Sequence, residues 1–372
     1  MRRLHSAASQ GKFSPSSLIF TSAMAVILLG TSLWSAKAFG VSFERACTAA
    51  STNHATCYAL LDKTEKGVET YTAGSGELGG FSPTDLRSAY KLPGTGGSEQ
   101  TVAVVDAYND PNAESDLAAY RTHYGLSECS KTGGCFKKLN QKGEEGSLPE
   151  NAVGWSQEIS VDLDMVSAAC AGCHIMLVEA KNNEIKELAA ATNEAAKLGA
   201  TEISNSYGLP EEYDSEGKGF VSYDSDYSHA GIPTVVASGD AGYENWEVLA
   251  KTPSFPATSP AVIAVGGTTL LPSEGGGRGW AETVWTNSDS GCSHTQSKPP
   301  WQTDTGCPNR MDNDVAAVAD TSTPVSVYDS YGLPEKWHNY GGTSVSAPLI
   351  AGADALNSSY ARSLGADAYY LG

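Results

Sequence analysis

From about residue 98 onward, apolar residues recur in two alternating rhythms. Short continuous runs, such as Val102-Ala103-Val104-Val105 and Ile175-Met176-Leu177-Val178, read as strands buried on both faces. Between them lie stretches whose apolar residues return at helical spacing, as Ile159, Leu163 and Val166 do. Strand and helix candidates follow one another over 101–106, 111–123, 155–170, 174–180, 184–199, 201–206, 233–238 and 262–266. Alternation of this kind predicts an α/β fold with a largely parallel central sheet covered by helices. Residues 98–372 suffice for one such domain.

Two regions precede it. Met1-Arg2-Arg3 and Lys12 are basic, Leu18 to Trp34 is mostly apolar, and Ala36-Lys37-Ala38 offers a small-x-small cleavage site. Residues 1–38 therefore read as an export signal. The apolar stretch is near the length of a membrane anchor, but Thr21, Ser22, Gly30, Thr31 and Ser32 interrupt it and favour cleavage. Residues 39–97 form a short polar segment rich in Gly, Ser and Thr, closing on Pro93-Gly94-Thr95-Gly96-Gly97.

Cysteine usage fits a secreted, extracellular protein. The eight cysteines all follow residue 38 and fall as neighbours: Cys47 and Cys57, Cys129 and Cys135, Cys170 and Cys173, Cys292 and Cys307. Proximity suggests four local disulfides, although eight cysteines allow on the order of a hundred pairings. Charge narrows the partners. With 24 Lys and Arg against 43 Asp and Glu, the net charge is −19, which argues against nucleic acid as a partner, since phosphate binding needs a basic face. After signal cleavage no membrane partner is expected, and the chain reads as a monomer.

The candidate chemistry lies in four places. In Gly341-Gly342-Thr343-Ser344-Val345-Ser346-Ala347-Pro348, a glycine pair brings Ser344 to an apparent helix start, and Pro348 is tolerated in its first turn. Free amides and the positive end of a helix dipole suit an oxyanion beside a serine nucleophile there. An activating base is needed. The seven histidines lie in no matching context, whereas Glu158 and Asp162 are i and i+4 on the helix predicted over 155–170, with Ser156 placed to cap it. Their Cβ atoms lie about 5–6 Å apart, so the two carboxyls titrate as a pair and can act as a base in acid. Asp164 points about 200° away from Asp162 at the helical repeat and is excluded. Asp240, in Ser238-Gly239-Asp240, ends a strand; alone it reads as a turn residue. Asp106 ends the first strand, where sites form in open α/β sheets.

Together these motifs resemble the sedolisins, the serine-carboxyl peptidases of the subtilisin-like superfamily. Glu-x-x-x-Asp on a helix, Ser-Gly-Asp after a strand and Gly-Gly-Thr-Ser near the end stand in the family's order. So do Phe255 through Thr268, Pro300-Trp301-Gln302 and Arg310 through Asp320; the likeness covers roughly residues 98–360. The resemblance implies a subtilisin-like three-layer fold and acid endopeptidase activity on protein or peptide substrates. It assigns Ser344 as nucleophile, Glu158 as base, Asp162 as its partner and a protonated Asp240 as oxyanion donor. It also makes Asp106 an extension of the Glu158–Asp162 hydrogen-bond chain, and Tyr207, in Ser204-Asn205-Ser206-Tyr207-Gly208, an aromatic lining the substrate cleft.

The chain departs from the family in two respects. Residues 39–97 are much shorter than the family's propeptide. The calcium expected after the nucleophile lacks its Asp-rich, Gly-rich loop: only 28 residues follow Ser344, with Asp354 and Asp367 among them. No metal ligand set or cofactor site is identifiable otherwise. A second reading is therefore a catalytically silent secreted binding protein on the same scaffold. A third comes from Cys170-Ala171-Gly172-Cys173-His174, which matches a c-type haem attachment signature. His174 opens a strand that reads as core, which leaves no room for haem. The visible spectrum of the purified protein is accordingly expected to show no Soret band.

Overall fold

The computed structural model describes residues 42–63, 74–243, 245, 252–275 and 277–364, with side chains to Asn357. The export segment read over 1–38 lies outside the described residues. Alternation along Thr101–Ala107 shows how the layers arise. Val102 and Val104 enter one hydrophobic cluster, while Ala103, Val105 and Ala107 enter another on the opposite face of the sheet.

In chain order the elements begin with β1 (Phe43–Arg45), β2 (Thr56–Cys57), β3 (Leu60–Asp62) and α1 (Pro83–Tyr90). There follow β4 (Thr101–Ala107), α2 (Ala113–His123), β5 (Phe136–Asn140), α3 (Val153–Ala169), β6 (His174–Ala180), α4 (Ile185–Lys197), β7 (Glu202–Asn205) and β8 (Tyr207–Pro210). The remainder are α5 (Asp224–Tyr227), β9 (Thr234–Ala237), β10 (Ser254–Phe255), β11 (Ile263–Pro272), β12 (Trp280–Val284), β13 (Val315–Val318), β14 (Val325–Tyr328), β15 (Trp337–Gly341) and α6 (Thr343–Leu364).

The large sheet runs β12-β11-β9-β7-β4-β6-β5, with β13 also on β11. Every pairing in it is parallel except β11 with β12. Helices α2, α3 and α6 bury Leu117, Ile159, Leu163, Val166, Ala347 and Ala351 against one face, and α4 buries Leu188 and Ala191 against the other. This is the three-layer α/β arrangement expected. Strands β5, β12 and β13 add to the sheet beyond the runs read from the sequence. Phe136-Lys137-Lys138-Leu139-Asn140 hides β5 because charged Lys138 is itself buried in it, paired with Glu179 of β6 at 3.2 Å.

Two small antiparallel sheets lie outside the large one. One runs β1-β3-β15-β14 and the other β10-β8-β2. Within the 39–97 segment, β3 is thus paired with β15 from the far end of the chain and β2 with β8 from its middle. Four disulfides, Cys47–Cys57, Cys129–Cys135, Cys170–Cys173 and Cys292–Cys307, join the neighbouring cysteines. Cys170–Cys173 engages both sulfurs that a haem thioether linkage would need.

Helix α3 is the unusual element. It is buried from Trp155 to Ala169 although it carries Gln157, Glu158, Asp162, Asp164 and Ser167. Buried polar groups need partners, and other elements supply them. Tyr340 donates to Gln157 at 3.2 Å, the Tyr328 amide to Asp164 at 2.9 Å and Arg121 to Ser167 at 2.9 Å. Ser156 does not cap the helix as expected. The helix starts three residues earlier, with Ala152 at its cap, and Ser156 Oγ donates back to the Ala152 carbonyl at 3.0 Å. Gly352 on α6 lets the two helices approach, since a Cβ there would lie 2.7 Å from that of Ala169. Leu163 is 1% exposed in this layer. Leu163→Ala is expected to cost about 2–5 kcal/mol, read as a lower denaturation midpoint with the β-sheet signal retained.

Candidate active site

Ser344 is the second residue of α6 and is fully buried. The turn before it depends on Gly342, whose φ of +98° is costly for any side chain. Asp240 follows β9 and braces this turn. Its Oδ1 accepts from the Thr343 amide at 2.8 Å and from Thr343 Oγ1 at 2.9 Å. The Gly239 amide donates in turn to Thr343 Oγ1 at 3.1 Å.

The carboxyls of α3 approach from the opposite side. Ser344 Oγ donates to the Ser206 carbonyl at 3.4 Å, and it hydrogen-bonds the Glu158 carboxyl, lowering that group's proton affinity. Glu158 Oε2 also accepts from the Ala59 amide at 2.8 Å. Ser206 Oγ donates to Asp162 Oδ1 at 2.7 Å. Glu158 and Asp162 lie one turn apart on the same face of α3, as their spacing predicts, and Ser206 links both Asp162 and Ser344.

Asp106 lies on the sheet face that α3 covers, following Val102 and Val104 by alternation. Its charge raises the pKa of both Glu158 and Asp162. Neither of its oxygens meets a hydrogen-bond donor among the described residues, so a bond from Asp106 to either carboxyl requires a proton held between them. Burial is the main force on all three groups. It pushes Glu158, Asp162 and Asp106 well above the ordinary carboxyl range, and their mutual repulsion adds to it, with Glu179 contributing at Asp106. Such a cluster titrates as a unit.

Tyr207 is a correction. Expected in the substrate cleft, it is fully buried, its hydroxyl donating to Asn205 at 2.8 Å and lying 3.2 Å from Thr192 and 3.3 Å from Tyr227. Strand alternation explains this: Ser206 faces the carboxyls, so its neighbour turns into the core under α4. Ser206, Thr343 and the Ala59 amide are the site groups the sequence reading did not single out. Ser206 stood in the quoted Ser-Asn-Ser-Tyr-Gly run, but Ala59 carries no signal, because its backbone alone takes part.

Among the described residues no group of three or more His, Cys, Asp or Glu is placed to hold a metal ion. Asp354 belongs to no such group, and Asp367 lies outside the described residues.

The fold and this constellation of serine and buried carboxyls define a subtilisin-like α/β protein. The subtilase family matches over residues 153–368, and the chain belongs to that family. Kumamolisin from Bacillus sp. (strain MN-32) is 28% identical over 296 residues, 73% of this chain and 51% of kumamolisin. Sedolisin from Pseudomonas sp. (strain 101) is 38% identical over 125 residues, 30% of this chain and 20% of sedolisin. The chain thus spans about half the length of the first relative and less of the second. A solved structure of the Pseudomonas sedolisin, a serine-carboxyl proteinase complexed with two molecules of pseudo-iodotyrostatin, matches with a TM-score of 0.68 at 25% identity. That match covers 78% of this chain and 84% of the other.

The buried carboxyls give stability a definite dependence on pH. Asp110, Asp312 and Asp329 are raised from 3.8 to about 7, and Glu179 from 4.5 to about 7, in each case chiefly by burial. A carboxyl raised on folding stabilises fully below its unfolded pKa and loses that contribution as pH rises through its folded pKa. The urea midpoint is therefore expected to fall as pH climbs from about 4 to above about 7, the reverse of ordinary acid denaturation. A midpoint that rises across this window would show these groups ionised in the folded state.

Proposed function

We propose that this chain is a secreted serine-carboxyl endopeptidase that hydrolyses peptide bonds of protein substrates in acid. The observation that carries the reading is the convergence of Ser344, Glu158, Asp162 and Asp240 on one helix start, with Ser206 bridging two of them. Ser344 Oγ attacks the peptide carbonyl and passes its proton to Glu158. Asp162, held by Ser206, orients Glu158 and shares the proton once it arrives. Asp240 in its protonated form donates to the oxyanion of the tetrahedral intermediate. A base of this type works where histidine is already protonated, and a neutral Asp240 requires the same conditions.

The proposed organisation is a signal over 1–38, a short segment over 39–97 and the peptidase domain from 98. Four disulfides support export to an oxidising compartment. No helix among the described residues is long and apolar enough to cross a membrane. One observation favours the second reading, a silent binding protein: Ser344 and Glu158 are 0% exposed and Asp240 is 2% exposed.

The test is casein hydrolysis by the purified protein from acidic to neutral pH. Cleavage strongest in acid is expected, falling to background in Ser344→Ala. Asp240→Ala is expected to lower kcat by about 10²–10³-fold, while Asp240→Asn retains part of the activity and flattens its dependence on Asp240 protonation. If Glu158→Gln leaves the rate untouched, Glu158 is not the base.

A further inference from the structure

Ser344, Glu158, Asp162 and Asp106 are all fully buried, and the cleft side of this cluster is covered. Tyr58 and Ala59 lie across Ser344. The Tyr58 amide donates to the Ser206 carbonyl at 3.3 Å, the oxygen that also accepts from Ser344. A Cβ built on Gly342 would stand 1.9 Å from the Tyr58 oxygen. With an extended peptide in this place, Glu158 is shut off from the cleft. Yet a protonated base must shed that proton before it can take one from Ser344.

The opposite side of the cluster leads elsewhere. Val102 and Val104 of β4 share one face of the sheet with Ile175 and Leu177 of β6. By alternation Asp106 and Glu179 continue that face. The register sets the two side by side, on strands about 4.8 Å apart. Glu179 is fully buried. Its Oε1 is held by Lys138 of β5 at 3.2 Å and by the Asp110 amide at 3.0 Å. Lys138 also donates to the Asp110 carbonyl. Glu179 Oε2 meets no donor among the described residues, and neither oxygen of Asp106 does. A proton held between these adjoining carboxyls satisfies both. Glu179 also lines a cavity of about 660 Å³ at the ends of β5 and β6, whose charged rim is Lys142, Glu144, Glu150 and Lys181. Ser206, Asp240, Thr343 and Ser344 do not line it. Burial raises Glu179 to about 7; Lys138 and the Asp110 amide pull against that rise, and the Asp110 carboxyl adds to it.

We propose, resting on the peptidase reading above, that Glu179 links the catalytic carboxyls to solvent through this cavity, so that Glu158 sheds its proton while a substrate closes the cleft. Glu179 touches no reacting atom; it is a positioning residue that acts through Asp106. Asp106 rests with a proton on one oxygen. Glu179 first releases its proton to a water molecule in the cavity, giving hydronium and a carboxylate paired with Lys138. Asp106 then passes its proton to Glu179 Oε2 and takes the proton of the Glu158–Asp162 pair on its other oxygen. That pair is left with its carboxylate base, Asp106 and Glu179 end protonated as they began, and one proton has left the protein. Only O–H bonds break and form. Lys138 and the Asp110 amide occupy Oε1, which leaves Oε2 as the oxygen available to Asp106.

The experiment measures kcat and KM on a casein-derived peptide, in acid and in buffers free of small carboxylic acids. It compares the full-length wild type with Glu179→Ala, Glu179→Gln and Glu179→Asp. The Ala and Gln variants are expected to lose about tenfold in kcat with KM unchanged, the equivalent of about 1.4 kcal/mol on the barrier. Added formate, a carboxylic acid small enough to take the vacated place, is expected to restore most of that loss in Glu179→Ala and to leave the wild type unaffected. Glu179→Asp keeps a carboxyl and is expected to turn over faster than Glu179→Gln. Wild-type kcat in Glu179→Ala would overturn the inference and leave the peptidase reading standing. So would a loss that formate does not reverse, in a variant with a native near-UV spectrum. If Glu179→Ala does not fold, the other two variants decide, and equal rates in Glu179→Asp and Glu179→Gln would sink the role of the carboxyl. A natively folded wild type that cleaves nothing from acidic to neutral pH would remove the peptidase reading and this inference together.

Discussion

A helix buried on all sides cannot carry carboxyl groups unless the rest of the fold provides for them, and α3 sets that condition for the whole molecule. Removing an ionised carboxylate from water is costly enough that the group takes up a proton or finds donors. Asp164 finds the Tyr328 amide, Glu158 the Ala59 amide and Asp162 the Ser206 hydroxyl. Each donor comes from a different segment of the chain. Strand β14, the turn into β3 and the loop after β7 are thereby tied to one helix.

The same arrangement supplies the proposed chemistry. Asp106, Glu158 and Asp162 repel one another inside a low dielectric, and a shared proton relieves that repulsion. A group held near its protonated state by burial is suited to exchanging protons with a hydroxyl in acid. Asp240 contributes differently. It holds the Gly342–Thr343 turn through two donors from Thr343, so the carboxyl proposed to meet the oxyanion also shapes the turn that presents Ser344.

Legibility differed from residue to residue. Glu158 and Asp162 could be read from their four-residue spacing, because helix geometry alone sets their common face. Ser344 could be read from the glycines and the Pro348 around it, and the four disulfides from cysteine proximity. Lys138 concealed β5 because its charge is neutralised by Glu179, a residue 41 positions later. Ser156 was misread as a cap because the helix begins on a residue with no capping side chain. Tyr207 was misplaced because its strand's facing is decided by Ser206.

By itself, then, the sequence determined the periodicities, the helix face that carries two acids, the glycine turn before Ser344 and the local cysteine pairs. All of these depend on contacts within a few residues, where bond geometry leaves little choice. Only the tertiary structure decided that Ser206 bridges Asp162 and Ser344, that α3 is buried from Trp155 to Ala169, and that Tyr58 and Ala59 lie across the serine. Those relations join residues from about 40 to nearly 290 positions apart. Local spacing cannot encode them, because they arise from burial of apolar surface and satisfaction of buried polar groups summed over the whole fold.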